Sequence, residues 1–286
     1  MVASAQPFLA PGGGEIMPVT NLRFEITWSY PYPVTTSGIG TGLTVCIRGG
    51  DPYLAFLTQT DFSDDVVYLF TFDGTEAYRH PSPVGYDTIS DMAYDPLRRV
   101  IWCCQSTNDP NVILAFDPET GLLTDTRVAI ATPTMGGPYG LACNGFFFVR
   151  GGGDTAELWA TNGLLLGTRQ YPGRGITGIS AAPWSYIFTD QYRDEIVVIG
   201  PLGNELAVSS GVGASGGMQA IAFDLPGYPY MEDIPQVWGP NGTVGDPGTI
   251  NDPDTPWNPA PFGGRHRLYV ANETDQTIYA GYLTQF

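Results

Sequence analysis

A chain of 286 residues with 29 acidic and 12 basic side chains carries a formal charge of −17 at pH 7, which excludes partners held by counterion release, nucleic acid and anionic membrane among them. All 12 basic residues are arginines, so Schiff-base chemistry and capture of phosphate by an ammonium group are excluded as well. With 43% hydrophobic residues the chain can bury one full core, while 37 glycines and 25 prolines divide it into short runs suited to strands and turns rather than long helices.

Residues 1–20 are rich in Gly and Pro and lack the basic start and continuous apolar run of a secretory signal, so a flexible N-terminal arm is expected there. No run of 18 apolar residues follows, and no transmembrane helix is expected. Leu22 to Trp28 alternates apolar and polar residues, as a half-buried strand does. Five copies of one pattern come next: an apolar strand, a polar turn, a second strand, a polar gap, a third strand, then a Gly-containing turn into a fourth. The clearest copy is ITGISAAPWSYIFTDQYRDEIVVIGPLGNELAV, from Ile176. First strands begin near Gly40, Thr88, Tyr139, Thr177 and Gln219, at spacings between about 38 and 51 residues, the range of four-stranded blades repeated around an axis.

The turns from third to fourth strand carry the sharpest local signal. Asp73-Gly74, Asp117 to Gly121, Asn162-Gly163 and Gly203-Asn204 all offer residues that tolerate positive φ. The fifth copy reaches Phe286 without a fourth strand, and Leu22 to Trp28 is the unassigned strand that can complete it and cover the open edge. The expected fold is therefore all-β: one β-propeller over residues 21–286, of five four-stranded blades, with the N-terminal strand closing the last. Six blades is the alternative. An insertion at about 226–264, dense in Pro, Gly and Asp, separates the first two strands of the last copy and is expected to form an irregular excursion on one face.

One stretch carries a family likeness. Ser90-Asp91-Met92-Ala93-Tyr94-Asp95-Pro96, then Arg99 to Trp102, Val112 to Asp117 and Thr120-Gly121, resembles the repeat of NHL-like and YncE-like β-propellers. The resemblance implies the fold but no single activity, since such propellers include sugar lactonases, peptide-processing enzymes and protein-binding scaffolds. Metal-dependent lactonase relatives place Glu, Asn and Asp ligands near the start of each innermost strand. The corresponding positions here are Gly42, Asp91, Gly140, Gly178 and Ala220, with one carboxylate among them. Asp91, Tyr139, Thr177 and Gln219 are the candidate channel-mouth residues.

Other chemistry is sparse. Cys46, Cys103, Cys104 and Cys143 lie in apolar runs without metal-ligand spacing and read as buried free thiols, with the adjacent Cys103 and Cys104 on opposite faces of a strand. His80 and His266 lack a partner at ligand spacing. No catalytic residue and no cofactor is expected. Ca²⁺ is the one ion the acidic turns could hold, at Asp246, Asp252 and Asp254, although the EF-hand pattern is absent. Tyr30, Tyr32, Tyr228, Tyr230, Trp238 and Trp257 sit in Pro/Gly-rich segments and are candidate binding aromatics. The expected function is a non-catalytic binding or assembly module that presents loops to a protein or glycan partner, within a larger extracellular assembly such as a virion or surface appendage. A lactonase-like or glycosidase-like hydrolase at the channel mouth is the alternative.

Overall fold

The computed structural model describes residues 20–32, 39–59, 66–81, 89–105, 112–130, 139–182, 185–200, 203–213, 215–223 and 267–285. These residues form twenty strands and no helix. The first blade is β2 (Ile39–Arg48), β3 (Asp51–Gln59), β4 (Val66–Phe70) and β5 (Glu76–Pro81), hydrogen-bonded in that order. The second is β6 (Ile89–Asp95), β7 (Val100–Gln105), β8 (Val112–Phe116) and β9 (Leu123–Ala129), and the third is β10 (Gly140–Cys143), β11 (Phe147–Gly152), β12 (Thr155–Ala160) and β13 (Leu165–Gln170). The fourth is β14 (Ile176–Ala182), β15 (Ser185–Asp190), β16 (Glu195–Ile199) and β17 (Glu205–Ser210). The fifth is β18 (Met218–Phe223), β19 (Leu268–Asn272), β20 (Thr277–Gln285) and, from the other end of the chain, β1 (Thr20–Pro31).

The turns explain why these runs become hairpins. Gly74, Gly121, Gly163 and Gly203 all have φ between 71° and 84°, at the four turns whose sequence asks for it. In three of them the preceding Asp or Asn side chain accepts a backbone N–H two residues on: Asp73 from Thr75, Asp117 from Glu119 and Asn162 from Leu164. Asp95, before Pro96, performs the same task between β6 and β7. It accepts from the backbone of Leu97 and Arg98, from the Arg98 guanidinium at 2.7 Å and from Trp102 Nε1 at 3.0 Å.

Burial falls from the axis outward. Every residue of β6 is buried, whereas only Val128 of the seven residues of β9 is. Inner strands are covered by neighbouring blades on both faces, which is why apolar and small residues occupy both of their faces instead of alternating with exposed polar ones. The core is correspondingly divided among the gaps between blades, with Cys103 facing the first blade and Cys104 the third, as strand alternation requires. All four cysteines are free and buried.

The innermost strands β2, β6, β10, β14 and β18 neighbour one another in turn, and β18 returns to β2. Closure rests on β1, which pairs antiparallel with β20 from Leu22↔Gln285 to Pro31↔Thr277. Leu22 to Trp28 thus completes the last blade as its sequence predicts. One feature has no sequence signal: β1 also pairs in parallel with β17, from Thr20↔Ala207 to Leu22↔Ser209, and so fastens the fifth blade to the rim of the fourth.

Two readings of the N-terminal region need correction. Thr20 opens β1 rather than ending an arm. Tyr30 and Tyr32 are not loop aromatics: Tyr30 lies within β1, and both are buried, with ring centroids 5.7 Å from Phe70 and 4.7 Å from Phe56. Pro31 and Pro33 made the segment look like a loop, but proline is tolerated at the end of an edge strand. The insertion at 226–264, with Tyr228, Tyr230, Trp238, Trp257, Asp246, Asp252 and Asp254, and residues 1–19 lie outside the described residues.

Strand direction gives the disc two distinct faces. The innermost strands begin on what we call the entry face and end on the exit face. The described chain stops after Phe223 at the exit end of β18 and resumes at Arg267, before β19, on that same face. Leu22 pairs with Gln285, at the exit end of β20, so the chain also enters β1 there.

Candidate functional site

The axis is the place to look for chemistry, and the backbone closes it. A Cβ added to Gly178 would lie 2.7 Å from Ala220 Cα and 2.9 Å from Gln219 O, and one added to Gly140 would lie 3.0 Å from Ile179 N. The inner strands approach too closely there for side chains. Among the aligned strand-start positions Gly42, Asp91, Gly140, Gly178 and Ala220, Asp91 is the one carboxylate, and it is fully buried. Its Oδ1 accepts N–H groups from Met92 at 2.8 Å and Leu43 at 3.4 Å, and its Oδ2 accepts them from Leu141 at 2.8 Å and Ile179 at 3.4 Å. Four of the five blades therefore donate a backbone amide to one carboxyl group. Burial pushes the Asp91 carboxyl well above the ordinary carboxylate range, and the four amides pull against that shift without cancelling it.

The other channel-mouth candidates do not join Asp91 in a side-chain constellation. Thr177 is buried, with Oγ1 2.9 Å from Met218 O and 3.0 Å from Thr189 Oγ1, and Thr189 Oγ1 accepts the Gly178 N–H at 2.9 Å. That hydroxyl pair stitches the fourth blade to the fifth. Gln219 is half-buried beside it, and Tyr139 stands 50% exposed at the start of the third blade.

Polar groups that the sequence did not single out lie close by. Ser90 Oγ is 3.2 Å from Cys104 Sγ, whose thiol is pushed up to about 11, by burial first and by the Asp91 charge second. Arg150 and Glu157, both fully buried, face each other across β11 and β12, and Trp159 Nε1 donates to Glu157 at 3.0 Å. Burial lowers the Arg150 guanidinium, while Cys104 and Glu157 raise it. Charged residues inside the apolar runs Phe146 to Arg150 and Ala156 to Ala160 are the available signal, but pairing them needs the strand register. A second ionic cluster clamps the fourth blade. Arg174, 4% exposed, contacts Asp190 at 3.0 Å, Glu205 at 2.8 Å and Glu195. Burial opposes its charge, and the bonds from Glu205, Glu195 and Asp190 outweigh that and hold it above the usual arginine range.

Among the described residues no three His, Cys, Asp or Glu side chains gather so as to hold a metal ion, and no helix is long and apolar enough to cross a membrane. His80 is half-buried, its ring lying against Gly121, and burial followed by the Arg48 charge lowers its pKa. His266 lies outside the described residues. Asn272, within an Asn-Glu-Thr sequon, is fully buried and donates its amide to Val212 O, so it cannot carry a glycan in this fold.

No family model matches the chain, and no curated protein matches it in sequence. Solved structures match it in fold. The glutaminyl cyclase of Myxococcus xanthus is 13% identical, with 94% of this chain and 100% of that one covered and a TM-score of 0.62. The virginiamycin B lyase of Staphylococcus aureus is 15% identical over 89% of this chain and 69% of the lyase, with a TM-score of 0.46. The WD40 domain of Neurospora crassa Pan2 is 12% identical over 89% of this chain and 65% of that domain, with a TM-score of 0.41. At 13% identity the likeness to the cyclase is one of fold, and together with the closed ring of strands it makes this chain a single β-propeller.

Proposed function

We propose that the chain is a non-catalytic binding or assembly module, which presents its exit face to a partner within a larger extracellular assembly such as a virion or surface appendage. The observation that carries this reading is what converges on that face. Leu97, Phe146 and Leu164 stand 58%, 63% and 59% exposed there. They adjoin one another, since Leu97 lies over Gly145, Thr161 N donates to Phe146 O and Ala160 N to Leu164 O. The 226–264 insertion and the N-terminal arm are attached at the same face. Clustered exposed apolar side chains on a rigid frame fit a protein partner better than a glycan. The closed axis, whose one carboxylate is spent on backbone amides, leaves little for hydrolysis.

Native mass spectrometry of the chain isolated from its source tests this, since an obligate complex is expected. Deleting 226–264, or combining Leu97→Asp with Phe146→Asp, is expected to abolish partner association without altering thermal unfolding. Unchanged association in both variants overturns the reading. Hydrolysis of a lactone or glycoside by the purified chain, lost in Asp91→Asn, would replace it with the enzyme alternative, for which the whole-length likeness to a cyclase offers a precedent of fold.

A further inference from the structure

We infer that the seam between the first and second blades is an acid-sensitive clasp, closed while His80 is neutral and released when that side chain takes up a proton. His80 belongs to β5, the outermost strand of the first blade, so the clasp lies at the rim of the disc. It does not rest on the exit-face reading.

The moving part is the turn from Asp117 to Gly121, which joins β8 to β9 in the second blade and lies against the first. Arg48, at the end of β2, holds it by donating from Nε to Pro118 O at 3.1 Å and from Nη2 to Glu119 O at 2.9 Å. Gly49 N donates to Glu119 Oε1. Tyr78 and His80, two residues apart on β5, face the same side of that strand. The Arg48 guanidinium stacks on the Tyr78 ring, 3.5 Å from its centroid, and the His80 ring is pressed against Gly121.

The fit between ring and turn is close. Gly121 is buried with φ 71°, and a Cβ there would overlap Cγ and Nδ1 of His80 and lie 2.7 Å from its Cβ. On the far side of the ring, Nε2 is shut off from solvent and meets no hydrogen-bond partner among the described residues. Imidazolium donates from both nitrogens, so a charged ring would leave an N–H at Nε2 with nothing to accept it. It would also set a second cation beside Arg48. Lifting the turn off β5 admits water to the ring and relieves both costs.

Few charged groups face His80. Arg48 opposes the proton, while Asp117 and Pro118 O favour it. Asp117 is already engaged within its own turn, where it accepts from Glu119 N at 2.8 Å and Thr120 Oγ1 at 3.3 Å. Burial first and Arg48 second outweigh the turn, and the folded chain holds His80 below the ordinary histidine value. Between the ordinary value and the lowered one, the unfolded chain binds the additional proton. The contribution of His80 to stability is therefore whole above that window and is lost as pH falls through it.

Imidazole signals of the full chain, followed by NMR between about pH 8 and about pH 5, test the inference. The chain has two histidines, and the signal lost in His80→Phe identifies the one in the clasp. It is expected to titrate below the ordinary histidine value. Hydrogen exchange of the amides from 117 to 122, corrected for the intrinsic effect of pH, is expected to become severalfold faster at the acid end in wild type. His80→Phe, which keeps a ring on Gly121 but takes up no proton, should show no such step, and His80→Gln makes the same comparison if phenylalanine is not tolerated. Thermal unfolding of wild type relative to these variants should fall over the same interval. A His80 signal that titrates at or above the ordinary value, or turn exchange that follows one pH course in wild type and variants alike, overturns the inference. None of these measurements needs a partner, so this inference and the exit-face reading can fail separately.

Discussion

A carboxyl group on the axis of a ring is ordinarily a sign of chemistry, yet Asp91 is bonded on every side to the frame that surrounds it. Truncating it to alanine would strand amides of Leu43, Met92, Leu141 and Ile179 in a space too narrow for bulk water. A loss of several kcal/mol is expected in urea unfolding, since each buried amide left without an acceptor costs roughly 1–3 kcal/mol. Formate should restore part of that loss, because the emptied cradle still points four N–H groups at one place; chloride at equal ionic strength controls for general salt effects. The group also leaves a mark on the pH dependence. Its carboxyl holds a proton to higher pH in the folded chain than in the unfolded one. Between those two values the native state binds more protons, so stability falls as pH rises. Relative to Asp91→Asn, which does not titrate, wild type should lose stability as pH climbs from the ordinary carboxylate range through the raised folded value. A flat difference between the two proteins would show that the amides cancel the burial. Arg174 is the opposite case, a cation whose three carboxylate partners come from β15, β16 and β17. Arg174→Gln should cost roughly 3–5 kcal/mol in urea unfolding by leaving the buried Asp190 uncompensated.

Among the elements, β1 has the most to do, because it supplies the rim of one blade and touches the rim of another. Its buried side is Leu22 and Phe24, both in the apolar cluster between the fourth and fifth blades that includes Leu283. Phe24→Ala should therefore lower stability by roughly 3–5 kcal/mol, whereas Ile26→Ala, at a position 50% exposed, should fall within about 0.5 kcal/mol of wild type. Equal effects at the two positions would mean that the strand closes the ring by backbone pairing alone. The strand itself was legible in the sequence, as were the blade spacing and the glycine turns, since alternation and positive φ are local properties. The roles of Tyr30 and Tyr32 were not, because what they pack against belongs to the first blade and is unrelated to their Pro-rich surroundings. The same limit applies to the axis. A lone carboxylate among glycines can be read from aligned strand starts, but the amides that bind it come from residues up to 88 positions away and carry no side-chain signature. Arg150 and Glu157 became a pair only once the β11 and β12 register was known.

For the molecule as a whole, the closed ring turns a repeated pattern into a plate with two unlike sides, and it fixes which loops can act together. Every attachment of chain beyond the repeats falls on the exit face, which also carries Leu97, Phe146 and Leu164. On the entry face Tyr139 and Tyr192 stand exposed. Because the ring is closed by β1 and β20 and its fifth blade is paired through Met218↔Asn272 to Phe223↔Leu268 without help from the insertion, removing 226–264 should cost little stability. A flexible loop pays only a slowly growing closure entropy, so a short Gly-Ser bridge between Phe223 and Arg267 should leave unfolding cooperative and the midpoint shifted by no more than a few degrees. The same variant should lose its assembly partner. Loss of cooperative unfolding would mean that the insertion belongs to the ring's core rather than to its surface.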